Sequence, residues 1–229
     1  MEWVDERLHD LADTTSDYRE FNTRILATVD PATVVGVRVP ALRKLSRELW
    51  RSPDRDAFLA ELPHAWYEEY LLHAYLVNRL PSTEDAITRL DALLPYVDNW
   101  SVCDALNPKA LASLPVERLV SLARGWMASP HEYTRRFGVA IPFHYLLDSK
   151  FDPSQISLVV AADDGRYYVQ MMAAWYLAEA MVAHEKDVMP WLEGNELSPG
   201  LRRKAIQKAI ESYRIPDATK DHLRAIRRR

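Results

Sequence analysis

The sequence predicts an all-α chain, an α-solenoid of stacked helix pairs forming one curved, concave domain over residues 1–229. Three observations carry that prediction. Apolar residues recur at three- and four-residue spacing through nine segments, which gathers them on one face of a helix. Only six glycines are present, few for the tight turns of a β-rich fold, and no run alternates cleanly with a two-residue period. Finally, the helical segments repeat.

Taken in order, the first two segments cover residues 4–13 and 18–29, the second closed by Asp30-Pro31. Proline lacks the amide that a helix interior needs, so such junctions punctuate the chain. Segment 39–50 stops before Ser52-Pro53, and segment 65–80 stops at Leu80-Pro81-Ser82, where 83–94 begins. A helix starts in Asn-Trp-Ser-Val-Cys-Asp, residues 99–104. Segment 115–127 leads to Ser129-Pro130, which reads as the start of 132–147. Asp152-Pro153 and Asp163-Asp164-Gly165 then break the chain ahead of 167–183. Ser198-Pro199-Gly200 opens 199–213, and Pro216 closes the series.

Four of these segments can be laid over one another with Tyr70, Arg136, Met171 and Lys204 as equivalent positions. The offsets are 66, 35 and 33 residues, the first close to two of the shorter steps. A period in that range is what stacked helix pairs produce, each burying its apolar face against its neighbours. Stacked pairs curve, and equivalent helices line the inner wall.

Composition narrows the class. Hydrophobic residues make up 48% of the chain, the level of an ordinary globular core. The longest apolar runs, such as 156–162 and 171–175, are too short to span a bilayer. No signal-peptide pattern opens the chain, so a cytoplasmic protein without membrane contact is expected. The single cysteine, Cys103, excludes an internal disulfide and a zinc pattern. The seven histidines show no metal-ligand spacing, and His64, His73, His144 and His184 read as scattered structural or surface groups. No metal or cofactor is expected.

The net charge of −4 hides an asymmetry. Residues 201–229 hold ten Lys/Arg against three acids, on a body that is otherwise acidic. A basic end suggests contact with a polyanion. Arg202, Arg203, Lys204 and Lys208 are the candidates, since a helix holds them in place. The final Arg227-Arg228-Arg229 reads equally as a solvated terminus.

Two further constellations look like chemistry. Arg135-Arg136 heads an almost wholly apolar stretch, Phe137-Gly138-Val139-Ala140-Ile141. An arginine there either pairs with a carboxylate or faces a groove as an anion ligand, where its planar fork suits phosphate. Trp100 and Asp104 stand four apart and therefore share one helix face. An indole beside a carboxylate can hold a cationic ring and stabilise positive charge developing next to it. The plainer readings are that Trp100 is core and that Asp104 caps a short helix running toward Lys109. Cys103, between them, is turned away by the helix and is not read as a nucleophile.

These residues, with Gly36-Val37-Arg38-Val39-Pro40-Ala41-Leu42-Arg43, the helix from Tyr133 to Val139, Ala174-Trp175 and Arg202-Arg203-Lys204-Ala205-Ile206, carry a resemblance. The chain resembles the DNA alkylation repair family of HEAT-like-repeat glycosylases, the AlkD-like group, over nearly its whole length. The resemblance implies a solenoid whose concave basic face grips duplex DNA. It implies catalytic roles for Trp100, Asp104 and Arg136 and a cleft contact from Trp175; Arg135, Tyr133 and the basic residues Arg202, Arg203, Lys204 and Lys208 are expected to contact DNA beside them. The family has an aromatic pair where this chain has Asn99-Trp100, and a tyrosine late in the second helix where residues 25–29 offer none.

The implied activity is excision of cationic N3- or N7-alkylated purines from double-stranded DNA by a monomer. Such a base leaves neutral, so no general acid is needed, unlike ordinary sugar hydrolysis. One carboxylate can then stabilise an oxocarbenium-like sugar and position water. A non-catalytic member of the same family that binds DNA or protein is the alternative.

Overall fold

A computed structural model describes residues 1–14 and 17–227 of the chain. Every regular element among them is helical, apart from one isolated bridge between Ala12 and Val37. The all-α reading is therefore correct. Among the described residues no helix is long and apolar enough to cross a membrane. Contacts gather the chain into two compact units, Met1–Ser113 and Leu114–Arg229.

The first unit contains α1 (Glu2–Asp10), α2 (Tyr18–Ile25), α3 (Val39–Arg51), α4 (Arg55–Ala60), α5 (Tyr67–Val77), α6 (Thr83–Leu93) and α7 (Trp100–Ala105). Helix α5 is buried nearly all round and forms the centre, in contact with α3, α4, α6 and α7. Helix α3 buries Leu42, Leu45 and Leu49 and leaves Arg43, Lys44, Arg47 and Glu48 exposed. The carboxylate of Glu68 on α5 lies fully buried, yet it is satisfied. It accepts from the amides of Val35, Gly36 and Val37 at 3.0, 2.7 and 3.3 Å. Gly36 has φ +97°, a conformation that favours glycine, and a Cβ there would meet Arg19 at 2.9 Å.

The second unit contains α8 (Val116–Met127), α9 (Glu132–Tyr145), α10 (Ser154–Ala161), α11 (Tyr167–Glu193), α12 (Pro199–Glu211) and α13 (Asp217–Ile226). Its principal contacts run α8 on α9, α9 on α11, α11 on α12 and α12 on α13. Burial against chain neighbours is the pattern of stacked helices. Arg136, Met171 and Lys204, matched by the sequence repeat, fall on α9, α11 and α12, which pack successively.

Several boundaries differ from the periodicity. Helices α4, α10 and α13 have no counterpart among the nine segments. The first spans only six residues, too short for the three- and four-residue pattern to recur, and the second is largely apolar from Ile156 to Ala161, with little polar face to mark a period. In α13 the buried set is Thr219, Leu223 and Ile226, a narrow stripe inside a charged segment. Helix α11 runs ten residues past 183, through a kink at His184 with φ −129° and ψ 41°. There the imidazole stacks on Phe151 at 3.6 Å and meets the Leu147 carbonyl at 3.1 Å. Tertiary contact at the kink carries the chain across a turn that local preference would end.

The histidines are less scattered than their spacing suggests. His64 Nε2 and His73 Nδ1 are 2.9 Å apart in the core of the first unit, with Phe58 stacked on His64 at 4.7 Å. Burial pushes the His64 imidazole down to about 4 and that of His73 to about 3.

Candidate active site

Helix α7 is only six residues long, and an isolated helix of that length is unstable in water. Its position is set by bonds at both ends. Asn99, itself buried, caps the N-terminus by accepting from the Val102 amide at 2.9 Å. The cap is thus Asn99 and not Asp104, which sits in the last turn. At the other end Asn78, the residue that ends α5, donates to the Ala105 carbonyl at 2.7 Å and accepts from the Asn107 amide at 2.6 Å. On its side face, Trp100 donates its indole N–H to the Ile25 carbonyl at 3.1 Å.

Trp100 and Asp104 are both half-buried, one helical turn apart. Asp104 lines an open groove of about 1080 Å³. Arg43, Arg47, Arg79 and Lys109, all exposed, line the same groove with Trp50, Tyr75 and Asn78. Burial raises the Tyr75 phenol above its usual range, against a hydrogen bond with Arg43 that lowers it. Four cations around one carboxylate stand out in a unit whose acids outnumber its bases. Arg43 and Arg47 were not singled out in the sequence, although their four-residue spacing on α3 puts them on one face. Arg79 lies in the turn after α5 and Lys109 opens a short 3-10 helix, Lys109–Ser113, and only the fold brings them to the groove. Cys103 is buried.

In the second unit the expected residues have varied surroundings. Arg136 is 5% exposed and donates from Nη1 to the Tyr168 carbonyl at 2.6 Å. Arg135 reaches the Asp164 carboxylate at 3.3 Å and the carbonyls of Ser129 and Ala162 at 3.1 and 3.4 Å. Tyr133 is buried against Tyr168, ring centres 5.3 Å apart. Tyr168 in turn meets the exposed Tyr167, and the Lys204 ammonium lies 5.2 Å over the Tyr167 ring. Lys204 also donates to Gln170 at 2.8 Å. Tyr133, Arg136 and Lys204 are therefore joined through Tyr167 and Tyr168, two aromatics that spacing alone does not single out although they open α11 side by side.

Trp175 is 41% exposed and packs on Phe143 at 4.8 Å. The basic helix divides by role. Arg202 donates to the carbonyls of Leu192 and Ile226 at 2.7 and 3.1 Å and holds α12 to its neighbours. Arg203, Lys204, Lys208 and Arg227 line a cavity of about 380 Å³ with Met171, Gln207 and Glu211. Arg228 and Arg229 lie outside the described residues. Among the described residues no group of three or more His, Cys, Asp or Glu side chains could hold a metal ion.

Comparison with known proteins identifies the family of the chain. The model of the family described as "DNA alkylation repair enzyme" matches residues 5–209, most of the chain. No curated protein matches it.

Proposed function

We propose, from the premise that this chain belongs to the DNA alkylation repair enzyme family, that it is a DNA glycosylase releasing cationic N3- or N7-alkylated purines. The observation that carries this reading is Asp104, on a pinned helix with Trp100 one turn away, lining an open groove rimmed by four cations.

Alkylation leaves positive charge on the purine. As the C1′–N bond breaks, its electron pair returns to the base, which departs neutral. Positive charge then moves to C1′ and O4′ of the sugar. Asp104 stabilises that charge electrostatically and holds a water whose oxygen adds to C1′. The proton of that water passes to the carboxylate and on to solvent, leaving an abasic site. Fixed charge of this kind supplies roughly 3–4 kcal/mol in other enzymes. Trp100 offers a π face to the cationic base, a contact of about 0.5–2 kcal/mol. Arg43, Arg47, Arg79 and Lys109 hold phosphates beside it and set the register of the duplex. In the second unit, Trp175, Arg203, Lys204 and Lys208 supply further contacts to DNA. Arg136, for which the resemblance implies a catalytic role, is buried on the Tyr168 carbonyl. In this reading it acts with Arg135 and Tyr133, expected as DNA contacts, by fixing Tyr168 and the turn before α11. The protein works as a cytoplasmic monomer without metal or cofactor.

Replacing Asp104 by Asn tests the reading. Release of 7-methylguanine from methylated duplex DNA is expected to fall by about 100-fold or more while duplex binding persists. Undiminished release rejects the role of Asp104. A silent DNA-binding member is the second reading. It is favoured by Asn99, whose side chain is committed to capping where the AlkD-like glycosylases carry an aromatic, and by residues 25–29, which offer none where they carry a tyrosine. Wild-type release no faster than spontaneous loss, with salt-sensitive duplex binding, establishes it instead.

A further inference from the structure

We propose that Asn78 is the positioning residue that sets Asp104 in the groove, an inference that rests on the catalytic reading of Asp104. The side chain of Asn78 spans the C-terminal end of α7. Its Nδ2 donates to the Ala105 carbonyl at 2.7 Å, and its Oδ1 accepts from the Asn107 amide at 2.6 Å. Its own carbonyl accepts from the Lys109 amide at 3.4 Å. One residue therefore grips the chain on both sides of the buried Leu106, starting at the residue after Asp104.

Asparagine is suited to this clamp because its amide carries a donor and an acceptor at once. The Ala105 carbonyl belongs to the last turn of a helix, where intrahelical partners run out. Asn78 supplies the missing one. Its backbone is anchored in turn at the end of α5, the most buried helix of the first unit. The clamp thus ties a marginal six-residue helix to the rigid centre of the unit. Asn78 also lines the groove with Asp104 and Lys109, and holds the chain beside each of them, by its side chain next to the carboxylate and by its main-chain carbonyl at the cation. A displacement of about 1 Å at a catalytic group can lower a rate by about 100-fold, which is the scale on which such a clamp matters.

The experiment uses the full chain with Asn78→Ala, and with Asn78→Leu as the variant of similar size. The leucine fills the space of the amide and removes both side-chain bonds without adding a charge beside Asp104, so packing at the end of α5 is kept where the alanine leaves a gap. Amide hydrogen exchange at Asp104 and Ala105, whose N–H groups Asn78 does not bond, is expected to speed up by about tenfold, with the Val102 amide unchanged. Single-turnover release of 7-methylguanine at saturating protein is expected to fall by about 10- to 100-fold, with duplex affinity held within about twofold. In an Asp104→Asn background, Asn78→Ala should lower the rate no further, since both changes act through one group. Unchanged exchange at Asp104 and Ala105, or a full rate, or an additive loss in the double variant overturns the proposal. If the wild-type protein releases no base, the glycosylase reading fails by itself, and the exchange measurement still decides whether Asn78 sets Asp104.

Discussion

Trp100 gives its indole proton to the carbonyl of Ile25, 3.1 Å away, and so ties the start of α7 to the end of α2. The bond links residues 75 apart in sequence and fixes the orientation of the ring on the face it shares with Asp104. Trp100→Phe keeps a π face and loses the tie, at a cost of about 1 kcal/mol in stability. Trp100→Ala also loses the ring, and base release from methylated duplex should fall by a further ~2- to 30-fold. Thermal unfolding and single-turnover release measure the two losses separately.

The groove beside Asp104 predicts a salt signature. Charge reversal of Arg43, Arg79 or Lys109 should weaken binding to undamaged duplex DNA. Each should also reduce the slope of log affinity against log salt by about 0.9 for every phosphate no longer neutralised. Binding titrations at several salt concentrations check this. A slope left at its wild-type value in all three variants would remove the groove from the DNA interface.

Arg136 behaves differently because it is buried. Truncation to Ala leaves the Tyr168 carbonyl short of a donor and should cost about 1–3 kcal/mol. The midpoint of urea unfolding reads that loss. Charge reversal at the exposed groove cations should move it by less than about 0.5 kcal/mol.

The close approach of α8 and α9 depends on Gly138. A Cβ at that position would meet the Met127 amide nitrogen at 2.6 Å and the Ala123 carbonyl at 2.9 Å, both backbone. Gly138→Ala should therefore destabilise the protein by about 1–3 kcal/mol, although alanine is the better helix former. Denaturant unfolding of this one variant decides between packing and propensity.

The paired histidines make stability depend on pH. With His64 held near 4 and His73 near 3, both stay neutral in the folded protein down to mildly acidic pH. In the unfolded chain both take up protons near the ordinary histidine value of about 6.5. The unfolded state therefore binds more protons between those limits, and stability falls as pH drops from about 6.5 toward 4. Each histidine contributes up to about 1.4 kcal/mol per pH unit across that window. Replacing His64 by Gln should flatten the fall. A wild-type denaturation midpoint that stays level from pH 7 to 5 contradicts the pairing.

Local order was written in the sequence. The periodicity placed most of α1, α3, α6, α8, α9 and α12, and the Pro junctions marked their limits, because helix formation depends on spacing and breakers a few residues apart. The four-residue step from Trp100 to Asp104 likewise put both on one short helix. Tertiary structure decided what each charge does. Arg135 and Arg202 look as available in sequence as Arg43 and Arg79, yet the first two are engaged with backbone carbonyls. The second pair stands exposed around Asp104. Exposure depends on which distant segments pack beside a residue, and no local spacing encodes that. The Asn78 clamp was hidden for the same reason, since its partners lie 27 and 29 residues further along the chain.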